Sequence, residues 1–252
     1  MTIAAERPAQ RDAEKKRPAI RTTDPFGGGI PLALVALTVT LIGFWRTFFS
    51  KLGAVDTVHM IHGASSTGWL VLVMVQASLI RSRQFKWHRM IGWSSVLLFT
   101  VLIVTSCYMV ALMLSGKTGV PLAFSKLFAF SDVLALPLFI FAYASAIYFR
   151  KDRHVHSRLM SVTLLAGLLP ALARMFNRVW TGPTGLIFAM NPTYLFVLAV
   201  LGVAIIVDWR KGRLRWPFPV AFAWFAISYA ALFPGAFSPW FDHLARAIGT
   251  IV

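Results

Sequence analysis

The sequence predicts an all-α integral membrane bundle of about seven transmembrane helices with a cytoplasmic N-terminus. Three observations carry this. Of the 252 residues, 58% are hydrophobic and only 13% charged, whereas an ordinary soluble domain has about a quarter charged. The apolar residues gather into runs near the ~20 residues that cross a bilayer. The basic residues fall in short gaps between those runs, which is the signature of membrane topology. A net charge of +16 would also suit a nucleic-acid binder. Such a protein clusters its basic residues on a polar domain, so no nucleic-acid partner is expected.

Residues 1–24 contain six Lys/Arg and four acidic residues with almost no large apolar side chains. That composition cannot order itself by burial and reads as a disordered cytoplasmic tail. No secretory apolar core directly follows its basic residues, so the first span is read as an uncleaved anchor. The transmembrane domain covers 25–236, with spans at 30–50, 58–80, 90–114, 128–149, 159–178, 190–208 and 217–235. The third has no formal charge between Met90 and Leu114. The fifth carries Pro170, which should kink it. Pro217, Pro219 and Pro234 crowd the ends of the seventh. Residues 237–252 are too short to span. Trp240, Phe241, Leu244 and Ile248 against Asp242, His243 and Arg246 suggest an amphipathic helix on the outer interface.

Orientation follows from Lys and Arg. Six lie in the tail and four in each of the loops around 81–89, 150–158 and 210–215, which makes eighteen of the 25 on one side. The positive-inside rule makes that side cytoplasmic. Arg46, Lys51, Lys117, Lys126, Arg174, Arg178 and Arg246 are left for the outside.

Two of those inner junctions match. Each follows an apolar run, carries a histidine, and opens the next run with a Met close behind: Trp87-His88-Arg89-Met90 and His156-Ser157-Arg158-Leu159-Met160. They suggest a repeated helical hairpin, 58–114 and 128–178. In such a repeat His88 and His156 occupy equivalent positions at one depth. Two imidazoles on different helices are what a six-coordinate haem b needs, and Arg89 and Arg158 would pair with its propionates. The alternative is a pair of interfacial histidines with no cofactor.

At the outer edge His59 and His62 are three residues apart, which places both on roughly one helix face. That suits one metal ion, or else the small residues after His62 serve close helix packing. Asp132 occupies the position in the second hairpin that His62 has in the first. A carboxylate near lipid is expensive and usually paired, and Arg174 is the expected partner; with Asn177 and Arg178 the two form either an anion-binding or proton-handling site or a structural ion pair. Gln76 is the remaining polar residue well inside a span, suited to hydrogen-bonding a neighbouring helix. The single cysteine, Cys107, makes no intrachain disulfide and no Cys-rich metal site. Phosphate-binding Gly-rich loops, His-Glu-x-x-His and Gly-x-Ser-x-Gly are missing.

The run His62-Gly63…Trp69…Gln76…Leu79-Ile80-Arg81…Trp87-His88-Arg89-Met90-Ile91-Gly92-Trp93 resembles a large, poorly characterised group of bacterial multi-spanning membrane proteins with a His-Arg-x-x-Gly junction. His156-Ser-Arg-Leu-Met160 and Pro170-Ala-Leu-Ala-Arg174 resemble its second half. The resemblance covers about residues 58–178 and implies an inner-membrane location, but no activity. A more distant similarity is to four-helix haem b proteins that pass electrons across bilayers, and it rests on the paired histidines. Three functions stay open. The first is a haem b redox or electron-transfer protein using His88 and His156 and exchanging electrons with quinone. The second is a non-enzymatic accessory or assembly subunit of a membrane complex. The third is a transporter using Asp132, Arg174 and Gln76.

Overall fold

The computed structural model describes residues 29–117, 122–179 and 185–249. The expected tail, 1–24, lies outside them. The described chain is an all-α, multi-pass membrane bundle. Its helices are α1 (Ile30–Phe44), α2 (Thr57–Arg81), α3 (Phe85–Leu114), α4 (Leu122–Tyr148), α5 (Arg153–Phe176), α6 (Gly185–Arg210), α7 (Pro217–Ala236) and α8 (Pro239–Gly249). Six of them, α2 to α7, are long and apolar enough to cross a membrane.

The first expected span, 30–50, is helical only over the 15 residues of α1. The chain then turns through a 3-10 segment, Phe49–Ala54. Arg46 and Lys51 explain the early stop, because a charged side chain on a continuing span would enter hydrocarbon. From α2 to α6 the helices begin earlier than hydropathy alone indicates. Asp56 Oδ1 accepts from the Val58 and His59 amides, both at 3.1 Å. Asp152 Oδ1 accepts from those of His154 (2.9 Å) and Val155 (3.2 Å). Each carboxylate satisfies two of the free N–H groups of a helix start, so α5 opens at Arg153 rather than at 159.

Helix α5 is the centre of the bundle, with α1, α2, α4, α6 and α7 packed around it. Its fully enclosed residues include Leu159, Leu164, Leu168 and Leu172. The α1 contact is close: a Cβ on Gly43 would run into the Ala171 backbone carbonyl, so only glycine fits there. The proline in α5, Pro170, sits within a single continuous helix. On the outside of α3, Trp93, Leu97 and Val104 are 63–71% exposed. That stripe, three to four residues per turn, faces lipid, and Cys107 shares the exposed surface. The C-terminal segment forms α8, which lies against α3 and α7. Its Phe241 packs edge-on against Phe130, and its Asp242 accepts from Lys126 Nζ at 2.6 Å.

One charge pair is completely enclosed. Arg158 on α5 donates from Nε to Asp208 Oδ2 (2.6 Å) and from Nη2 to Asp208 Oδ1 (2.7 Å), joining α5 to α6. Its Nη1 donates to the His154 carbonyl at 2.8 Å. Removing one partner of such a pair leaves a bare buried charge and costs about 3–5 kcal/mol. Arg158→Leu is therefore expected to lower the thermal unfolding temperature in detergent sharply. Arg158→Leu/Asp208→Leu should recover most of the loss, and an additive double variant would show that the pair is not coupled.

Candidate functional site

Polar side chains collect at both ends of the bundle. At the end formed by the starts of α3 and α5, the His88 and His156 rings approach with centroids 6.3 Å apart and planes at 87°. Helix spacing and the opposed directions of successive helices bring these matched positions together. Gln76 reaches across from α2. In the amide orientation that satisfies both its ends, its oxygen accepts from the Gly92 N–H at 2.9 Å. Its nitrogen donates to the His88 carbonyl at 3.0 Å and to His88 Nδ1 at 2.5 Å. The His88 proton then sits on Nε2. His156 Nδ1 donates to the Ala146 carbonyl at 2.8 Å, so its Nε2 carries the lone pair.

These facts bear on the haem expectation. Two imidazoles from different helices do meet. Iron ligation through both Nε2 atoms would need the opposite tautomer at His88. Arg158, expected at a propionate, has its donors committed to Asp208 and His154. Arg89 is exposed.

The opposite end holds a cavity of about 490 Å³, within the range of small-molecule sites. It is walled by α1 to α5 and the 3-10 turn, and His59, His62, Asp132 and Arg174 all line it. His62 Nδ1 lies 3.2 Å from Thr105 Oγ1. The Thr105 hydroxyl donates its own proton to the Val101 carbonyl at 2.8 Å, so His62 donates from Nδ1 and Nε2 is the nitrogen left for the cavity. His59 Nδ1 donates to Asp56 Oδ2 at 2.6 Å, which again leaves Nε2. A carboxylate that orients an imidazole this way is the usual support of a metal-binding histidine. Among the described residues, however, no group of three or more His, Cys, Asp or Glu is placed to hold a metal ion.

Asp132 and Arg174 share the cavity without forming the expected ion pair. Among the described residues the ion pairs within 4.0 Å are Asp56–His59, Lys126–Asp242 and Arg158–Asp208. Arg174 instead donates to the Pro170 carbonyl at 3.1 Å and lies over the Phe44 ring, 4.4 Å from its centroid. No described donor hydrogen-bonds the Asp132 carboxylate, although its neighbour Ser131 is bonded to Tyr194 Oη at 2.9 Å. Asn177 and Arg178 line an adjoining cavity, and Arg178 Nη2 donates to the Ile42 carbonyl.

The inner wall of the cavity is aromatic, which the sequence reading missed. Trp69 donates from Nε1 to Thr163 Oγ1 at 3.3 Å. Its ring meets Phe139 and Tyr143, each at 5.3 Å between centroids. Trp69 was part of the quoted family pattern, yet nothing in the apolar run marks it as a wall of a site. His243, on α8, pairs with Arg246 at 3.0 Å and is not among the lining residues.

No family model, curated protein or solved structure matches this chain.

Asp56 links helix start and site. The His59 amide, and then its ring, hold the Asp56 carboxyl below the usual carboxylate range. Its contribution is therefore complete above about pH 4 and fades as pH falls through the lowered pKa. Asp56→Ala should cost about 1 kcal/mol as a lost cap and release the His59 ring. Thermal unfolding against pH checks this: the gap between wild type and variant should close in acid, and a gap independent of pH would contradict it.

Proposed function

We propose that this is a carrier of the bacterial inner membrane. It binds a small amphipathic molecule in the cavity at one end and couples its movement to a proton on Asp132. One observation supports this most: His62, Asp132 and Arg174, on α2, α4 and α5, line a single cavity. A carboxylate within a span is costly unless it is paired or functional, and Asp132 accepts no hydrogen bond from a described donor. His62 supplies a second proton acceptor through Nε2, and Arg174 a fixed positive charge. Trp69, Phe139 and Leu70 supply apolar walls. The distribution of basic residues supports a cytoplasmic N-terminus with α1 as a seventh, short span. In that orientation the cavity lies at the outer end of the bundle.

Asp132→Asn is expected to reduce proton uptake by proteoliposomes, followed with an internal pH dye under an imposed potential, to the level of empty liposomes. Gly167→Leu provides a second test. A Cβ at Gly167 would meet nothing within 4 Å and Gly167 lines the cavity, so leucine there reaches into the space and should block the same flux. Undiminished flux in both variants would sink the proposal.

A second reading is haem b between His88 and His156, exchanging electrons with quinone. Two imidazoles on different helices with centroids 6.3 Å apart support it. The Gln76 hydrogen bond and the Arg158–Asp208 pair weigh against it. Protein purified with haem retained should then have a Soret band that is lost in both His88→Ala and His156→Ala. A spectrum without that band would dispose of this reading.

A further inference from the structure

Beside the aromatic cavity lies a second one of about 590 Å³, lined by Arg46, Lys51, Arg174 and Arg178 together with Ser50 and Asn177. Of the seven basic side chains that topology leaves at this end, four converge here. Lys126, by contrast, is neutralised by Asp242, and Arg246 points to His243. No carboxylate is among the described residues lining this second cavity. Positive charge outside runs against the topological bias, and four such residues around one hollow repel one another. An anion relieves that repulsion, and guanidinium groups grip carboxylate and phosphate oxygens in paired hydrogen bonds.

The two cavities adjoin, because Thr47, Lys51 and Arg174 line both. Arg174 stands at the join. It has a basic, open hollow on one side and on the other a space bounded by Phe44, Trp69, Leu70 and Phe139. A molecule filling both would have an oxyanion head and an apolar body.

We infer that the ligand is an amphipathic anion: a carboxylate or phosphate head held by Arg46, Lys51, Arg174 and Arg178, with its apolar body in the aromatic cavity. This rests on the carrier reading above and names its substrate class.

The test is calorimetric titration of the full chain in nanodiscs of zwitterionic lipid with decyl phosphate, decanoate, decanol and inorganic phosphate. Decyl phosphate and decanoate should bind more tightly than decanol, and inorganic phosphate more weakly than decyl phosphate. Arg46 and Lys51 are exposed, so Arg46→Gln/Lys51→Gln leaves the fold intact. It should weaken decyl phosphate roughly 10-fold or more, each tenfold being about 1.4 kcal/mol, and leave decanol unchanged. Equal affinity for decyl phosphate and decanol, or no change in the double variant, overturns the inference. So does inorganic phosphate binding as well as decyl phosphate. If charge confers no advantage while Asp132-dependent proton flux persists, the carrier reading stands and this inference alone falls. Loss of that flux dependence removes both. Adding phosphatidylglycerol to the discs separates two sources of the head. Displacement of decyl phosphate assigns it to a membrane lipid, and continued binding assigns it to a free amphiphile.

Discussion

The enclosure of α5 is the constraint on which the rest depends. Most of α5 is packed among other helices, and a polar side chain held away from water there must find a partner inside the bundle. Two of its three arginines, Arg158 and Arg174, show the two outcomes. Arg158 meets Asp208 in a bidentate pair and donates its remaining group to a backbone carbonyl. Arg174 lies four turns further along and meets an aromatic face and one carbonyl. Asp132 is across a cavity from it, not against it. The first arrangement is closed and holds α5 to α6. The second is open, and an open charge inside a membrane protein is more economically explained by a ligand than by stability.

The histidines follow a related logic. At His59, His62 and His156 the Nδ1 proton goes to a fixed acceptor, respectively Asp56, Thr105 and the Ala146 carbonyl. Their Nε2 atoms are left as acceptors. His88 is reversed, because Gln76 donates to its Nδ1. The facing rings at that end therefore present one Nε2 donor and one Nε2 acceptor. Such a pair is complementary to a proton-transferring chain of hydrogen bonds, whereas two metal ligands would both need lone pairs. The cavity at the opposite end has lone pairs on both imidazoles. The two ends are chemically different although they arise from matched positions on two hairpins.

Much of this was legible in the sequence. Apolar runs place α2 and α7 to within a residue at each end and the C-terminal ends of α3 and α4 as well, and the match of His62 with Asp132 and of His88 with His156 located both polar clusters. Two kinds of information were not legible. Hydropathy cannot see the Asp152 cap that starts α5 at Arg153, and at Phe85, where no side chain caps the helix, the polar and charged side chains of the first turn are helical as readily as apolar ones. Proximity along a depth also does not fix pairing. Arg174 and Asp132 share a level, but which carboxylate an arginine reaches depends on helix rotation. Asp208 was one of five Asp beyond the tail and lay inside the sixth apolar run. That was the available signal for Arg158's partner. Arg46 and Lys51 looked like a remainder after counting topology, because charge counting discards position around the helix axis.

Position around the axis is what gives the cavity its gradient. Thr163, Ala166, Gly167, Pro170 and Arg174 recur at three to four residues on α5, so one stripe of that helix faces the space. Each contributes differently. Thr163 spends its proton on the Met160 carbonyl at 2.7 Å and offers oxygen to Trp69. Gly167 leaves room. Pro170 has no N–H to donate to the Ala166 carbonyl four residues back. Arg174 then closes the stripe with a cation beside the basic hollow. A neutral polar molecule would find acceptors deep in the cavity and no use for the charge at its mouth. A molecule with an anionic head and an apolar body uses the guanidinium at one end and the aromatic wall at the other, in the order in which this stripe presents them.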